Sequence, residues 1–120
     1  MTDIKTEVDQ FFESYASALL ARDAQAVAHL YAVPSLILFP GQTIAVGDAE
    51  QTAAFFSSSW GQYEDVHSIE KVIILMGEAP STVWADVTWT YGGRAQERFC
   101  YQLIKRDLEW QIAVLTPMSL

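Results

Sequence analysis

The stretch that decides the fold runs from Ser81 to Arg106 and reads STVWADVTWTYGGRAQERFCYQLIKR. Two runs rich in β-branched and aromatic residues flank Gly92-Gly93, a glycine pair that is typical of a hairpin turn. A hairpin alone is marginally stable in water, so one of its faces must be covered by apolar side chains. The stretch therefore predicts a long antiparallel hairpin that the rest of the chain covers and extends.

The chain before the hairpin begins with helical patterns. Thr2 or Asp3 can cap a first helix, Asp23 can cap a second, and Asp48 with Gln51 resembles a capping box. The predicted helices run from Asp3 to about Arg22, from Ala24 to about Ala32, and from Asp48 to about Trp60. Pro34 is expected to end the second helix. Tyr15 falls in the apolar stripe of the first helix, where a core tyrosine bonded to a backbone carbonyl and a functional tyrosine are alternative interpretations.

Six segments show strand patterns. They are Ser35–Phe39, Gln42–Val46, Val66–Met76, Ser81–Tyr91, Gln96–Lys105 and Trp110–Met118. Helices followed by a mainly antiparallel sheet indicate the α+β class, with helices on one sheet face. A length of 120 residues predicts one domain spanning residues 1–120.

The hairpin register decides where Asp86 lies. A two-residue turn at Gly92-Gly93 would place Trp84 opposite Tyr101 and Asp86 opposite Phe99, all on one face. A carboxylate among aromatic rings should have a raised pKa, as a general acid or base requires. The alternative is that Asp86 lies on a solvated or dimer-facing surface and pairs with a basic residue.

Composition excludes several classes of function. A net charge of −8 without a large basic cluster argues against binding nucleic acid or anionic membranes. The apolar runs are too short to span a bilayer, and the first residues do not resemble a secretory signal. The single cysteine, Cys100, fits a reducing cytoplasm.

Motifs for metal and cofactor chemistry are missing from the sequence. It contains no P-loop, G-x-G-x-x-G, H-E-x-x-H, C-x-x-C or G-x-S-x-G pattern. His29 and His67 are far apart in the sequence and have no cysteine cluster beside them. We therefore expect neither a metal site nor a cofactor.

Two segments resemble the nuclear transport factor 2-like superfamily, which includes SnoaL-like polyketide cyclases and ketosteroid isomerases. VDQFFESYASALLARDAQAVAHLYA, residues 8–32, is similar to the opening helices of these proteins. RFCYQLIKRDLEWQIAVL, residues 98–115, is similar to their closing hairpin, in which a tryptophan enters the last strand. The resemblance implies a cone in which a strongly curved sheet wraps around the first helix, with a pocket at the wide end and often a dimer across the sheet.

The resemblance also implies roles for individual positions. Tyr15 falls where ketosteroid isomerases keep an oxyanion-hole tyrosine, whereas Phe39 falls at their general-base position and cannot accept a proton. Last-strand positions that often carry His or Asp appear here as Val114, Leu115 and Thr116. The expected pocket is therefore apolar and aromatic, with ligand-binding candidates Tyr15, Tyr31, Phe39, Trp60, Trp84, Phe99, Tyr101 and Thr116.

Three functions remain open from the sequence. The first is a domain that binds a small hydrophobic molecule. The second is an isomerase, cyclase or hydratase in which Asp86 acts as base or acid and Tyr15 stabilises an enolate-like oxygen. The third is an assembly module, because apolar residues on both sheet faces favour a homodimer through the sheet.

Overall fold

The computed structural model describes residues 3–39, 41–63, 66–92 and 96–120. The predictions that involve Thr2 and Gly93 therefore lie outside the described residues. The helices are α1 (Ile4–Leu20), α2 (Ala24–His29), α3 (Ala49–Ser59) and a 3-10 turn, Trp60–Tyr63. The strands are β1 (Tyr31–Phe39), β2 (Gln42–Val46), β3 (Ile69–Ala79), β4 (Thr82–Tyr91), β5 (Gln96–Arg106) and β6 (Glu109–Met118).

All three helices begin at the predicted caps. The Asp3 carboxylate accepts a hydrogen bond from the Thr6 amide at 2.8 Å, and Asp23 caps α2 in the same way. Asp48 and Gln51 form a complete capping box at the start of α3. Each short polar side chain satisfies an amide that the first helical turn leaves without a partner.

The second helix is shorter than predicted. It ends at His29, and Tyr31 already belongs to β1, where it pairs with Ile112 of β6. Pro34 therefore does not end a helix but lies within β1, inside an irregular stretch of the β1–β6 pairing. A proline is tolerated in a strand at such an irregularity because no ladder donor is needed there.

The six strands form one sheet in the order β2-β1-β6-β5-β4-β3. Neighbouring strands are antiparallel except for β1 and β6, which are parallel. Register shifts interrupt the ladders of β3 with β4 and of β5 with β6. Such bulges bend and twist the strands that carry them, which suits a curled sheet that remains open. The α+β cone-like fold predicted from the sequence is confirmed.

The predicted hairpin register is wrong by one residue. Asp86 pairs with Cys100 and Val87 pairs with Phe99, so Asp86 is not opposite Phe99. Side chains alternate between the two faces of a sheet, so a shift of one residue changes which side chains share a face. Phe99 and Tyr101 of β5 therefore share a face with Val87 and Ala85 of β4, and not with Asp86 and Trp84.

The inner face of the hairpin is consequently apolar on both strands. It carries Val83, Ala85, Val87 and Trp89 from β4 together with Phe99, Tyr101 and Leu103 from β5, and all seven are buried. The α1 helix covers this face with Val8, Phe11, Phe12 and Tyr15. Among the described residues, no helix is both long enough and apolar enough to cross a membrane.

Candidate functional site

An aromatic cluster fills the space between α1 and the inner sheet face. Its members are Phe12 and Tyr15 from α1, Tyr31 from β1, Phe56 from α3, Trp89 from β4 and Tyr101 from β5. The Tyr15 ring centre lies 5.7 Å from Trp89, and that of Phe12 lies 5.0 Å from Tyr101. These separations are typical of edge-to-face and offset ring pairs, so elements distant in sequence pack on one centre.

Two polar pairs lie within this cluster. The hydroxyl oxygens of Tyr15 and Tyr31 are 2.7 Å apart, although the two residues are only 3% and 1% exposed. The Trp89 indole N–H donates to the Tyr101 hydroxyl at 3.0 Å. Tyr15 is thus a core tyrosine, and its hydroxyl contacts a second phenol, whereas the sequence interpretation named a backbone carbonyl. Phenols in such surroundings can donate hydrogen bonds to an oxygen of a ligand.

An open cleft of about 280 Å³ lies where β1 and β6 end and β5 begins. We call it the Phe39–Phe99 cleft, and it is lined by Phe39, Gln96, Glu97, Arg98, Phe99, Pro117, Met118 and Leu120. The Phe39 and Phe99 rings are 5.4 Å apart, and Phe99 also contacts Tyr101 at 6.2 Å. Phe99 therefore belongs both to the cleft and to the edge of the aromatic cluster.

Six predicted ligand-binding residues lie on the helix side of the sheet. Tyr15, Tyr31 and Tyr101 belong to the cluster, while Phe39 and Phe99 line the cleft. The sixth, Trp60, lies just after α3, and its ring is 6.1 Å from that of Phe56. The structure thus brings these side chains into one continuous region.

Trp84, Asp86 and Thr116 do not join this region. Asp86 and Thr116 both lie opposite Cys100 in the ladders, so all three share the outer sheet face, away from α1. Trp84 precedes Asp86 by two residues and shares that face, where it is 40% exposed. The assignment of Trp84 and Asp86 to the pocket depended on the incorrect register, whereas that of Thr116 came from the resemblance of the last strand.

Asp86 also has a different electrostatic environment from the one expected. Arg98 Nε donates to its two carboxylate oxygens at 2.9 and 3.2 Å, and Arg98 Nη2 donates to Asp86 Oδ2. These hydrogen bonds lower the pKa of Asp86, against the opposing effect of burial. The prediction of a raised pKa is wrong, and the alternative of pairing with a basic residue is confirmed. Asp86 and Tyr15 lie on opposite faces and cannot act on one substrate atom.

Cys100 lies beside this ion pair and is buried. Burial raises the pKa of its thiol, and the charge of Asp86 raises it further. A protonated, buried thiol is a packing group rather than a nucleophile. Within the described ranges, no group of three or more His, Cys, Asp or Glu side chains is arranged to hold a metal ion.

A second cleft, of about 330 Å³, lies at the opposite end of β5 and β6. Its lining mixes apolar and charged residues, among them Phe11, Trp110, Glu7 and Glu109. Glu7 is already bound, since Lys105 Nζ and the Trp110 indole N–H each donate to it at 3.0 Å. These two hydrogen bonds lower the pKa of Glu7. The Phe39–Phe99 cleft is the better candidate because its wall residue Phe99 packs on Tyr101 of the aromatic cluster.

Trp89 was not among the binding residues predicted from the sequence, although it lies in the centre of the cluster. The signal that would have found it is the alternation Val83, Ala85, Val87, Trp89, which is apolar at every odd position. The helical spacing of Phe12 with Tyr15, and of Phe56 with Trp60, indicates that each pair shares one helix face.

Comparison with known proteins settles the family. The family described as NTF2-like protein (DUF6841) matches residues 6–119. The chain belongs to this NTF2-like family. No curated protein matches the chain.

Several solved NTF2-like structures share the fold. An NTF-2 like protein of unknown function from Shewanella oneidensis MR-1 superposes with a TM-score of 0.79 at 12% identity, covering 96% of this chain and 98% of that one. An NTF2-like protein from Cytophaga hutchinsonii gives 0.77 at 15% identity, with 99% and 100% covered. A putative scytalone dehydratase from Novosphingobium aromaticivorans gives 0.73 at 8% identity, with 97% and 83% covered. At these identities the likeness concerns the fold alone.

Proposed function

We propose that this NTF2-like chain binds a small hydrophobic molecule in the Phe39–Phe99 cleft. The observation that carries the proposal is Phe99, which lines the cleft and packs on Tyr101 of the aromatic cluster. A ligand seated there would meet mainly apolar walls, with the polar side chains of Gln96, Glu97 and Arg98 at one side. Ligand sites are commonly concave and largely apolar, with a few polar groups that fix orientation.

The size and charge of the cleft define the class of ligand. A cavity of about 150 Å³ accommodates benzene, so about 280 Å³ suits a neutral molecule of one to three rings. The guanidinium of Arg98 is paired with Asp86 and offers no unbalanced charge to an anion. A neutral aromatic or alicyclic compound with few polar atoms fits this lining best.

The geometry supports binding rather than isomerase chemistry. Phe39, which falls at the general-base position of the ketosteroid isomerases, packs its ring against Phe99 and Phe55. Phenylalanine cannot transfer a proton, and Asp86 lies on the outer face with its charge neutralised by Arg98. Neither residue can therefore serve as the acid or base of a reaction inside the cone.

The test is a binding titration with N-phenyl-1-naphthylamine, a neutral probe whose fluorescence rises in apolar surroundings. Protein is titrated into a fixed low probe concentration, and an efficiency of about 0.3 kcal/mol per non-hydrogen atom predicts a Kd on the order of 100 µM. Phe39→Ala should weaken binding about fivefold or more, because it removes one wall of the cleft. Phe11→Ala, the matched truncation in the second cleft, should have little effect.

Two results would refute the assignment. One is the absence of any fluorescence rise up to about 1 mM protein together with no thermal stabilisation by a diverse set of hydrophobic compounds. The other is a loss of binding in Phe11→Ala but not in Phe39→Ala, which would move the ligand to the second cleft.

We further propose that the partner of this chain is a second copy, bound through the outer sheet face. On β3, the outward side chains Val72, Ile74 and Met76 are 63%, 57% and 51% exposed, and Trp84 extends this patch onto β4. The paired charges of Asp86 and Arg98 add no net charge beside it. An apolar patch of this kind can cover itself in a two-fold dimer, whereas the net charge of −8 disfavours nucleic acid and anionic membranes.

Sedimentation or light scattering at tens of micromolar tests the dimer. Ile74→Glu should give a monomer, because a carboxylate would be buried at the interface. Leu108→Glu is the matched control, since Leu108 is exposed in the β5–β6 turn, outside the patch. A monomeric unmodified chain would refute the proposal.

We also propose that the protein is located in the cytoplasm, where a reduced Cys100 would persist.

A further inference from the structure

Arg98 connects the outer sheet face with the segment that follows β6. Its Nε and Nη2 atoms donate to Asp86, while Nη1 donates to the backbone carbonyl of Ser119 at 2.7 Å. The Asp86 side chain is 9% exposed and that of Arg98 is 33% exposed. The Asp86 carboxylate thus fixes the orientation of the planar Arg98 guanidinium. The remaining Nη1 atom of this guanidinium binds the Ser119 carbonyl.

The bound carbonyl lies next to residues that form a wall of the cleft. Pro117, Met118 and Leu120 line the Phe39–Phe99 cleft, and Ser119 lies between the last two. The strand β6 ends at Met118, so Ser119 and Leu120 lie beyond the sheet ladder. The hydrogen bond from Arg98 therefore acts where the regular pairing of the strand has stopped.

We propose that Asp86 and Arg98 are positioning residues that hold the Pro117–Leu120 segment in place as a wall of the ligand cleft. Asp86 orients Arg98, Arg98 binds the Ser119 carbonyl, and this bond holds the neighbouring Met118 and Leu120 in the lining of the cleft. The pair thereby sets the affinity for ligands through this segment; Asp86 does not line the cleft, so it separates this effect from the direct contact that Arg98 can make with a ligand. The effect on affinity rests on the proposed binding function. The effect of Arg98 on the order of the Pro117–Leu120 segment does not, and it can be measured without a ligand.

Lysine could not replace arginine in this role. One ammonium group cannot reach a two-oxygen carboxylate and a carbonyl on the other side with fixed planar geometry. Arg98→Lys therefore keeps the charge and removes the connection. Lys105→Met is the matched control, because Lys105 lies on the same strand and forms a comparable ion pair with Glu7 at the other end.

The first measurement is the ¹⁵N heteronuclear Overhauser effect of the Ser119 and Leu120 amides without ligand, which reports picosecond to nanosecond motion. Asp86→Asn and Arg98→Lys should both lower these values relative to the unmodified protein, whereas Lys105→Met should leave them unchanged. Arg98→Lys retains the positive charge beside Asp86, so it supplies the answer if Asp86→Asn folds poorly. Unchanged mobility of the segment in a folded variant would overturn the positioning role.

The second measurement is the affinity for N-phenyl-1-naphthylamine. Both variants should weaken binding about fivefold, and Leu120→Ala should do so too, since each removes the ordered wall or part of it. Combining Asp86→Asn with Leu120→Ala should add little to either single change, because both act through one segment. A mobile segment with unchanged affinity would overturn the link to binding. Failure of the unmodified protein to bind any probe would instead refute the proposed function, and the amide measurement would still decide the positioning role.

Discussion

The Tyr15–Tyr31 phenol pair gives the sharpest stability prediction. Tyr15→Phe and Tyr31→Phe each remove one hydroxyl from a contact of 2.7 Å and leave both rings in place. The surrounding rings, including Phe56 and Trp89, exclude water from this contact. The two changes together therefore test whether the two buried hydroxyls bond to each other.

The expected magnitude follows from what is lost in each variant. A typical intramolecular hydrogen bond contributes about 1 kcal/mol net, and a buried partner that loses it adds a desolvation penalty. Each single substitution should therefore lower the free energy of unfolding by about 1–2 kcal/mol. The double substitution should lower it by less than the sum of the two singles, because the hydrogen bond that the two hydroxyls share can be lost only once. The coupling energy should be about 1 kcal/mol.

Urea denaturation of the four proteins, followed by far-UV circular dichroism, measures this coupling. Tyr31→Phe combined with Tyr91→Phe is a control, since Tyr31 pairs at the start of β6 whereas Tyr91 ends β4 at the other end of the ladders. Those two substitutions should be additive within about 0.5 kcal/mol. If the effects of Tyr15→Phe and Tyr31→Phe on the free energy of unfolding also add to within about 0.5 kcal/mol, the inference that their hydroxyls bond to each other is refuted.

Three further predictions concern acid stability, the core and one turn. The pKa of Asp86 is lowered in the folded protein, so the ionised carboxylate stabilises the fold above the ordinary Asp pKa of about 3.9. This stabilisation is lost as the pH falls through the lower folded pKa. Between pH 6 and pH 3, the urea midpoint of Asp86→Asn should therefore fall less steeply than that of the unmodified protein. Trp89→Phe should lower the free energy of unfolding by about 1–3 kcal/mol, because the smaller ring leaves a cavity and cannot donate the hydrogen bond to the Tyr101 hydroxyl. A change below about 0.5 kcal/mol in a denaturation curve would contradict this. Leu108→Gly should raise the urea midpoint, since Leu108 is 89% exposed and has a φ of 68°, a left-handed conformation that costs a residue with a side chain about 1 kcal/mol; a lower midpoint would show that the turn is not strained.

The fold could be predicted because local signals agreed with one another. Asp3, Asp23 and Asp48 each marked a true helix start, since a cap depends only on nearby residues. The end of α2 was missed because Tyr31 looks helical by spacing, yet it pairs with Ile112, about eighty positions away in the chain. No local pattern reports such a distant partner.

The site was predicted less well, and the hairpin register explains why. Gly92-Gly93 suggested a two-residue turn, whereas the matching of Val87 with Phe99 follows from burying the apolar side of both strands. Burial of a whole face outweighs the preference of one turn, because a slip by one residue would expose every side chain on it. The alternating apolar pattern therefore predicts the register better than the glycine pair does.

The corrected register also changes the chemistry available inside the cone. With Asp86 on the outer face, the polar groups that the described part of the aromatic cluster contributes are phenols and an indole. A phenol hydroxyl can both donate and accept a hydrogen bond. An indole N–H can only donate. The polar groups of the described cluster are thus hydrogen-bonding groups, which agrees with the recognition of a small molecule proposed above.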